Sequence, residues 1–266
     1  MNSEKNILDK IIIIAGPCLA ESEIVINETA ETLASLTQNA GIEFYFKASY
    51  RKANRSSINS ISGMGDLRAL SWIKSAAEKY NLRTLTDIHS AEEAKIAAKY
   101  VDCLQIPAFL ARQTDILLTA GDTGKFVNIK KGQFMAPEDM HKAAAKVKST
   151  GNEKIWLTER GTTFGYHDLV VDYRGLVIMA ESGYPVIFDA THSVQKPSIG
   201  EQSGGSPKFI EKLTRAALAV GVDGIFFETH PDPKNALSDS ATQLPLDKAG
   251  DFIDSILRIH NFFKNQ

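Results

Sequence analysis

Eight short runs of apolar and β-branched residues recur along the chain with helix-like stretches between them, and this alternation restricts the fold more than any other feature. The runs are IIIIAG (11–16), FYFKAS (44–49), RTLTDI (83–88), CLQIPA (103–108), FVNIKK (126–131), IWLTER (155–160), PVIFDA (185–190) and GIFFETH (224–230). Each has the length of a strand buried on both faces. The stretches 22–40, 66–80, 91–99, 113–122, 137–149, 168–182, 207–220 and 247–264 read as helices. In 207–220, Pro207 suits a first turn, and Phe209, Leu213, Ala216, Ala217 and Val220 recur at helical spacing. Gly221 follows, where a left-handed cap belongs. Strand–helix alternation needs crossovers and therefore a parallel sheet. Eight such units predict a single-domain (β/α)8 TIM barrel over residues 11–266, behind a short leader at 1–10. An open doubly wound sheet is the other architecture, but no GxGxxG turn follows the first run.

Charge and cysteine content narrow the function classes. The 266 residues carry 30 Lys and Arg against 32 Asp and Glu, a net charge of −2. That balance argues against a broad nucleic-acid-binding surface, which needs a basic excess. It leaves room for local cationic clusters that grip small phosphorylated substrates. Cys18 and Cys103 are too few for a disulfide framework and point to a reducing compartment. The longest apolar run, 11–15, is too short to span a bilayer, and the opening MNSEKNILDK is no secretory signal. The expectation is a cytoplasmic protein with neither nucleic acid nor membrane as partner.

Polar residues crowd the C-terminal ends of the predicted strands, the face on which barrel enzymes build their sites. In strand order they are Cys18; Lys47; Asp87 and His89; Gln105; Lys130 and Lys131; Glu159 and Arg160; Asp189 and His192; Glu228 and His230. A few internal salt bridges explain some of these, but not such a concentration at one end. Long loops at 50–65 and 191–207 sit at the same end, although GEQSGG within the second also reads as a plain flexible connection.

Two constellations stand out. Cys18, His192, Glu228 and Asp239 form a sulfur, nitrogen and oxygen donor set on or beyond strands one, seven and eight, suited to Zn²⁺, Fe²⁺ or Mn²⁺. No CxxC or HExxH pattern supports it, and a cysteine in AGPC also reads as a small core residue, as Cys103 does at the opposite end of the barrel. Lys47, Lys52, Arg55, Lys130 and Arg160 form a cationic cluster fit for multiply charged anions. Asn54, Ser56 and Ser57 in KANRSS add hydrogen-bonding groups, or the string is simply a solvated loop.

The strings AGPCLAES, FKASYRKANRSS, TDIH, QIPAFLARQTDILL, NIKKGQF, LTERGTTFGY, DATHSVQ, FFETHPDP and ALSDSATQLPL closely resemble those of the 3-deoxy-D-manno-octulosonate 8-phosphate synthase family, over about 11–246. A related synthase that opens the shikimate pathway typically reads KPRTSP where this chain reads KANRSS. The resemblance implies condensation of phosphoenolpyruvate with D-arabinose 5-phosphate and water, in lipopolysaccharide precursor synthesis. It implies that Lys52, Lys130 and Arg160 hold the phosphate and carboxylate of phosphoenolpyruvate, with Lys47 and Gln105 nearby. Asn54, Arg55 and Ser56 would hold arabinose 5-phosphate, with Asp87, Phe109 and Gln195 as further substrate contacts. Lys130, Arg160, His192 and Asp239 would carry the catalytic roles. Arg112 resembles an arginine that reaches a neighbouring subunit's site, implying a homo-oligomer, typically a tetramer. Cys18, where a metal-independent branch usually has Asn, and the LSDSATQ context of Asp239 imply the metal-dependent branch. Three competing expectations stand beside this one. They are a paralogue acting on erythrose 4-phosphate, a Schiff-base aldolase using Lys47 or Lys130, and a phosphosugar-binding barrel without activity.

Overall fold

The computed structural model describes residues 10–54, 60–197 and 204–264. The leader expected at 1–10 lies almost wholly outside them. Eight strands close a parallel barrel: β1 (Ile12–Gly16), β2 (Glu43–Lys47), β3 (Arg83–Asp87), β4 (Cys103–Ile106), β5 (Phe126–Lys130), β6 (Ile155–Glu159), β7 (Val186–Asp189) and β8 (Gly224–His230). Each pairs with the next, and β8 pairs back to β1 with Gly224 opposite Ile12 and Glu228 opposite Gly16. The outer layer is α1 (Glu23–Thr37), α2 (Asp66–Tyr80), α3 (Ala91–Ala97), α4 (Thr114–Asp122), α5 (Met140–Lys148), α6 (Arg174–Ala180), α7 (Ile210–Val220) and α8 (Ala249–Lys264). The expected eight-unit barrel is therefore the fold. None of the described helices is long and apolar enough to cross a membrane.

Strand parity divides the interior in two. Ile12, Ile14, Tyr45, Leu85, Cys103, Trp156, Ile187 and Phe226 pack inside the barrel, with Phe126 against them. The alternate residues, such as Ile11, Ile13, Phe46, Val127, Leu157 and Phe227, join the larger core between barrel and helices. That is why the first run is apolar at every position: both faces are buried. The inner floor is aromatic. Trp156 lies 4.8 Å from Tyr45 and 4.9 Å from Phe126, centroid to centroid, and the Arg83 guanidinium covers Tyr45 from below at 5.6 Å. Cys103 belongs to this floor, as its packing reading expected. The bottom of the barrel is thus filled, and a cavity opens at the C-terminal ends of the strands.

One predicted helix is shorter than its sequence pattern. In 168–182 the helix begins only at Arg174, and Leu169–Val170 pairs instead with Thr162–Thr163 in an antiparallel ladder. Leu169 is buried and Val170 half-exposed, a strand-like alternation that the helical reading overlooked. Asp172 then accepts the backbone N–H of Arg174 at 3.0 Å and opens the helix. In 207–220, Pro207–Phe209 forms a 3-10 turn before α7, and Gly221 caps the helix at φ 102° as its position predicted.

Gly16 ends β1 at φ +154°, and a Cβ there would lie 2.0 Å from the carbonyl oxygen of Lys47. Neither backbone can yield without separating β1 from β2 where Cys18 and Lys47 leave the strands. Gly16→Ala is expected to lower stability by about 2–4 kcal/mol, read as a shifted denaturant midpoint. A midpoint equal to wild type would mean that the two strands adjust freely.

Candidate active site

The inward parity of the floor continues upward. Tyr45 leads to Lys47, Leu85 to Asp87, Cys103 to Gln105, Phe126 to Asn128 and Lys130, Trp156 to Thr158 and Arg160, Ile187 to Asp189, and Phe226 to Glu228. The result is a cavity of about 520 Å³ at the mouth. Its walls include Lys47, Lys52, Asn54, Asp87, Gln105, Phe109, Lys130, Arg160, His192, Gln195, Glu228 and Asp239. Twelve side chains singled out from sequence thus share one space. Arg55 and Ser56 lie outside the described residues. The Arg112 side chain is exposed and lines no part of this cavity.

Lys47 and Lys130 are buried here and Lys52 half-buried, each against a carboxylate. Lys47 Nζ contacts Glu228 Oε1 and donates to the carbonyl of Cys18 at 3.0 Å. Lys130 Nζ pairs with Asp189 Oδ2 and lies 3.6 Å above the Phe226 ring. Lys52 Nζ sits 3.5 Å from Asp87 Oδ2 and 4.0 Å from Glu228 Oε1. Burial opposes the charge on Lys52, but Cys18, Asp87, Glu228 and Asp239 together outweigh it and raise its pKa. Burial also works against Glu228, yet Lys47, His192 and Lys52 hold it at about 2. Asp87 and Asp189 are depressed in the same way: burial is overcome by Lys52 and Lys47 at Asp87, and by His192 and Lys130 at Asp189. Lys130 goes the other way, because burial exceeds the pull of Asp189.

Arg160 differs from the lysines. One guanidinium nitrogen donates to the neutral amide of Gln195 at 3.0 Å, while its other terminal nitrogen is buried with no partner among the described residues. Burial lowers its pKa. A buried guanidinium bonded to an amide rather than a carboxylate is a seat for an incoming anion.

A donor set for a metal ion converges beside these cations. Ligating atoms of Cys18, Glu228 and Asp239 all lie within 4.8 Å of one another, and Cys18 Sγ is 3.3 Å from Asp239 Oδ2. His192 Nε2 is 3.6 Å from both Glu228 Oε1 and Asp239 Oδ2. Donors around one tetrahedral ion are roughly 3.5 Å apart. His192 Nδ1 is 2.8 Å from Asp189 Oδ2, which turns Nε2 toward Glu228 and Asp239, but of the four donors expected from sequence only Cys18, Glu228 and Asp239 form a mutually close group, with His192 at its edge. Glu228 Oε2 is buried without a hydrogen-bond partner among the described residues. Burial, reinforced by Asp239 and Glu228, pushes the Cys18 thiol far up, and a cation in the set would reverse that pressure. The side chains present therefore fit a divalent ion. Asp239 is held at φ 49°, a left-handed conformation that Asp tolerates.

Several strand-end polar residues prove to be supports. Lys131 and Glu159 have outward parity and lie 3.5 Å apart, and Glu159 Oε1 accepts the N–H groups of Arg160 and Gly161 at 2.9 and 2.7 Å. His230 Nε2 bonds Glu21 at 2.9 Å, and the other Glu21 oxygen accepts the Leu237 N–H. Glu93 accepts from His89, Tyr50 and Arg51 at the root of the 50–65 loop. The loop after β8 adds Lys234, Asn235 and Ser238 to the cavity wall. Sequence reasoning passed over them because Lys and Asn after a strand look like any solvated turn.

Burial depresses His89 from 6.5 to about 4. The unfolded chain then binds the extra proton between those values, so stability falls as pH drops through that window. The expected loss is up to about 3 kcal/mol, seen in denaturant melts at neutral pH and near pH 4.5. His89→Gln should flatten the slope, and an unchanged slope would assign it to other groups.

A model of the DAHP synthetase I family matches residues 7–258. The chain is 51% identical over 254 residues to the 2-dehydro-3-deoxyphosphooctonate aldolase of Koribacter versatilis, covering 94% of this chain and 91% of that protein. It is 49% identical to the protein of the same name from Syntrophotalea carbinolica, covering 96% and 92%. For the Granulibacter bethesdensis protein, again of that name, identity is 52% over 89% of this chain and 84% of the relative. A match that runs through the whole barrel and every strand-end group of its mouth leaves one conclusion: the chain belongs to the DAHP synthetase I family.

Proposed function

We propose that this chain is a 3-deoxy-D-manno-octulosonate 8-phosphate synthase, joining phosphoenolpyruvate to D-arabinose 5-phosphate with water and releasing inorganic phosphate. The observation that carries this reading is the Arg160 guanidinium, with one terminal nitrogen unpartnered among the described residues, lining the same cavity as Lys130 and Lys52 in a chain about half identical to relatives named for the octulosonate product. The substrates would be bound as anions, phosphoenolpyruvate by Arg160, Lys130 and Lys52 with Lys47 and Gln105 alongside. Asn54, Arg55 and Ser56 would hold the pentose phosphate at the outer rim, with Phe109 and Gln195 along the wall.

In the reaction, C3 of phosphoenolpyruvate attacks the aldehyde carbon of the pentose, forming the new C–C bond, and the aldehyde oxygen takes a proton. The oxygen of water bonds to C2, where positive charge builds. The resulting hemiketal phosphate breaks its C2–O bond, expels inorganic phosphate and leaves a ketone. Fixed cations held against the reacting anions supply preorganised stabilisation, and orientation of two reactants removes several kcal/mol of barrier. Asp239, and the Lys130–Asp189–His192 group, would receive and return the protons of water addition. Cys18, His192, Glu228 and Asp239 would hold a divalent ion, zinc, iron or manganese, whose chemistry when bound is Lewis-acid polarisation of an oxygen.

The assembly belongs to the same reading. Phe134, Phe164 and Tyr166 are exposed on neighbouring loops, where the Thr163 N–H bonds the Gln133 carbonyl at 3.1 Å. An apolar rim of this kind suits subunit contact, and a homotetramer in which Arg112 reaches a neighbour's cavity would use it. Two free thiols suit a reducing, cytoplasmic location.

A Schiff-base aldolase is the reading to test against, since burial lowers the Lys130 pKa. Borohydride with a carbonyl substrate is expected to leave no adduct on Lys130 or Lys47; a stable mass adduct would favour the aldolase. Phosphate release should need both substrates and favour arabinose 5-phosphate over erythrose 4-phosphate. Arg160→Ala should cut kcat/KM by about 10²–10³-fold. Exhaustive chelation should remove both bound metal and activity, with divalent metal restoring them, and full activity in metal-free protein would refute the ion. Cys18→Asn should lose metal affinity while keeping part of its turnover.

A further inference from the structure

Beneath the cavity runs a chain of side-chain hydrogen bonds that crosses four strands. Thr158 donates its hydroxyl to Asn128 Oδ1 at 2.6 Å, and Asn128 Nδ2 donates to Gln105 Oε1 at 2.9 Å. Gln105 Nε2 donates to Asp87 Oδ1, whose other oxygen accepts from Ser49. Asn128 and Thr158 are fully buried and line no part of the cavity, whereas Gln105 and Asp87 do.

The direction of this chain follows from one group. Asp87 is an ionised carboxylate beside Lys52 and can only accept. Gln105 must therefore turn its NH2 toward Asp87, which points its carbonyl at Asn128. Asn128 must answer with its own NH2, so its carbonyl needs a donor, and the Thr158 hydroxyl is that donor. Reversing any member would leave two acceptors or two donors face to face in a dry interior, at a cost of a buried unsatisfied group.

We propose that Asn128 and Thr158 are positioning residues: they lock the amide orientation of Gln105 so that its NH2 edge meets both Asp87 and the bound anion. An amide nitrogen has two hydrogens, and Asp87 takes one. The second is left for an acceptor oxygen of the substrate. Through the same bond, Gln105 keeps Asp87 in place and with it the ammonium of Lys52. This rests on the function proposed above, with phosphoenolpyruvate as the anion.

The test uses the full-length enzyme in its active form. Thr158→Val removes the terminal donor at nearly constant shape, and Thr158→Ser retains it. Asn128→Leu breaks the chain one step nearer the cavity, so a folding failure in one variant leaves the other informative. Thr158→Val and Asn128→Leu should raise KM for phosphoenolpyruvate about tenfold with kcat nearly unchanged, and calorimetric binding of phosphoenolpyruvate should weaken alike. Thr158→Ser should match wild type in both. Unchanged KM in Thr158→Val and Asn128→Leu, a fall in kcat alone, or equal damage from Ser and Val at position 158 would overturn the proposal. Wild-type protein that fails to bind phosphoenolpyruvate would instead overturn the assigned function.

Discussion

The buried ammonium groups of Lys47 and Lys130, and the half-buried one of Lys52, can sit at this barrel's mouth only because carboxylates meet them from other strands. Lys47 on β2 meets Glu228 on β8, Lys130 on β5 meets Asp189 on β7, and Lys52 beyond β2 meets Asp87 on β3. Deleting one partner strands a buried charge, which typically costs about 3–5 kcal/mol. Each pair bridges two strands or more, and the first crosses the seam where β8 closes on β1. Barrel closure and charge neutralisation are therefore one event, and the mouth acquires its chemistry only when the sheet is complete.

Two groups escape this mutual satisfaction. Among the described residues, Arg160 keeps a buried nitrogen without a partner, and Glu228 keeps a buried oxygen in the same condition. One asks for an anion and the other for a cation, and they share one cavity. Set beside the paired charges of the mouth, these two atoms are the points at which a bound anion and a bound cation would add contacts that the protein does not supply. The Lys131–Glu159 and Glu21–His230 pairs, by contrast, are complete and hold the loops that carry Arg160 and Asp239.

Much of this was legible along the chain. The runs of buried strand and the caps around them announced eight βα units, and polar residues at the strand ends marked the mouth. The sequence pattern at 168–182 overstates the helix because Leu169 and Val170 satisfy a helical stripe as well as a two-residue strand. Lys131 and Glu159 read as site groups in the sequence because end-of-strand position alone does not tell inside from outside. Counting by twos from Trp156 and Phe126 would have found Thr158 and Asn128, which look unremarkable in VNIKK and WLTER.

The period of the hydrophobic runs is enough to specify the barrel, and the residue types at the strand ends specify the kind of chemistry. Only the tertiary structure decided which of those residues face one another. Cys18 and Asp239 are 221 positions apart in the chain and 3.3 Å apart in space. Lys47 finds Glu228 only across the β8–β1 seam. Local pattern encodes burial and secondary structure because these depend on neighbours in sequence. Which buried charge cancels which, and which is left open for a ligand, depends on distances that exist only once the sheet has closed.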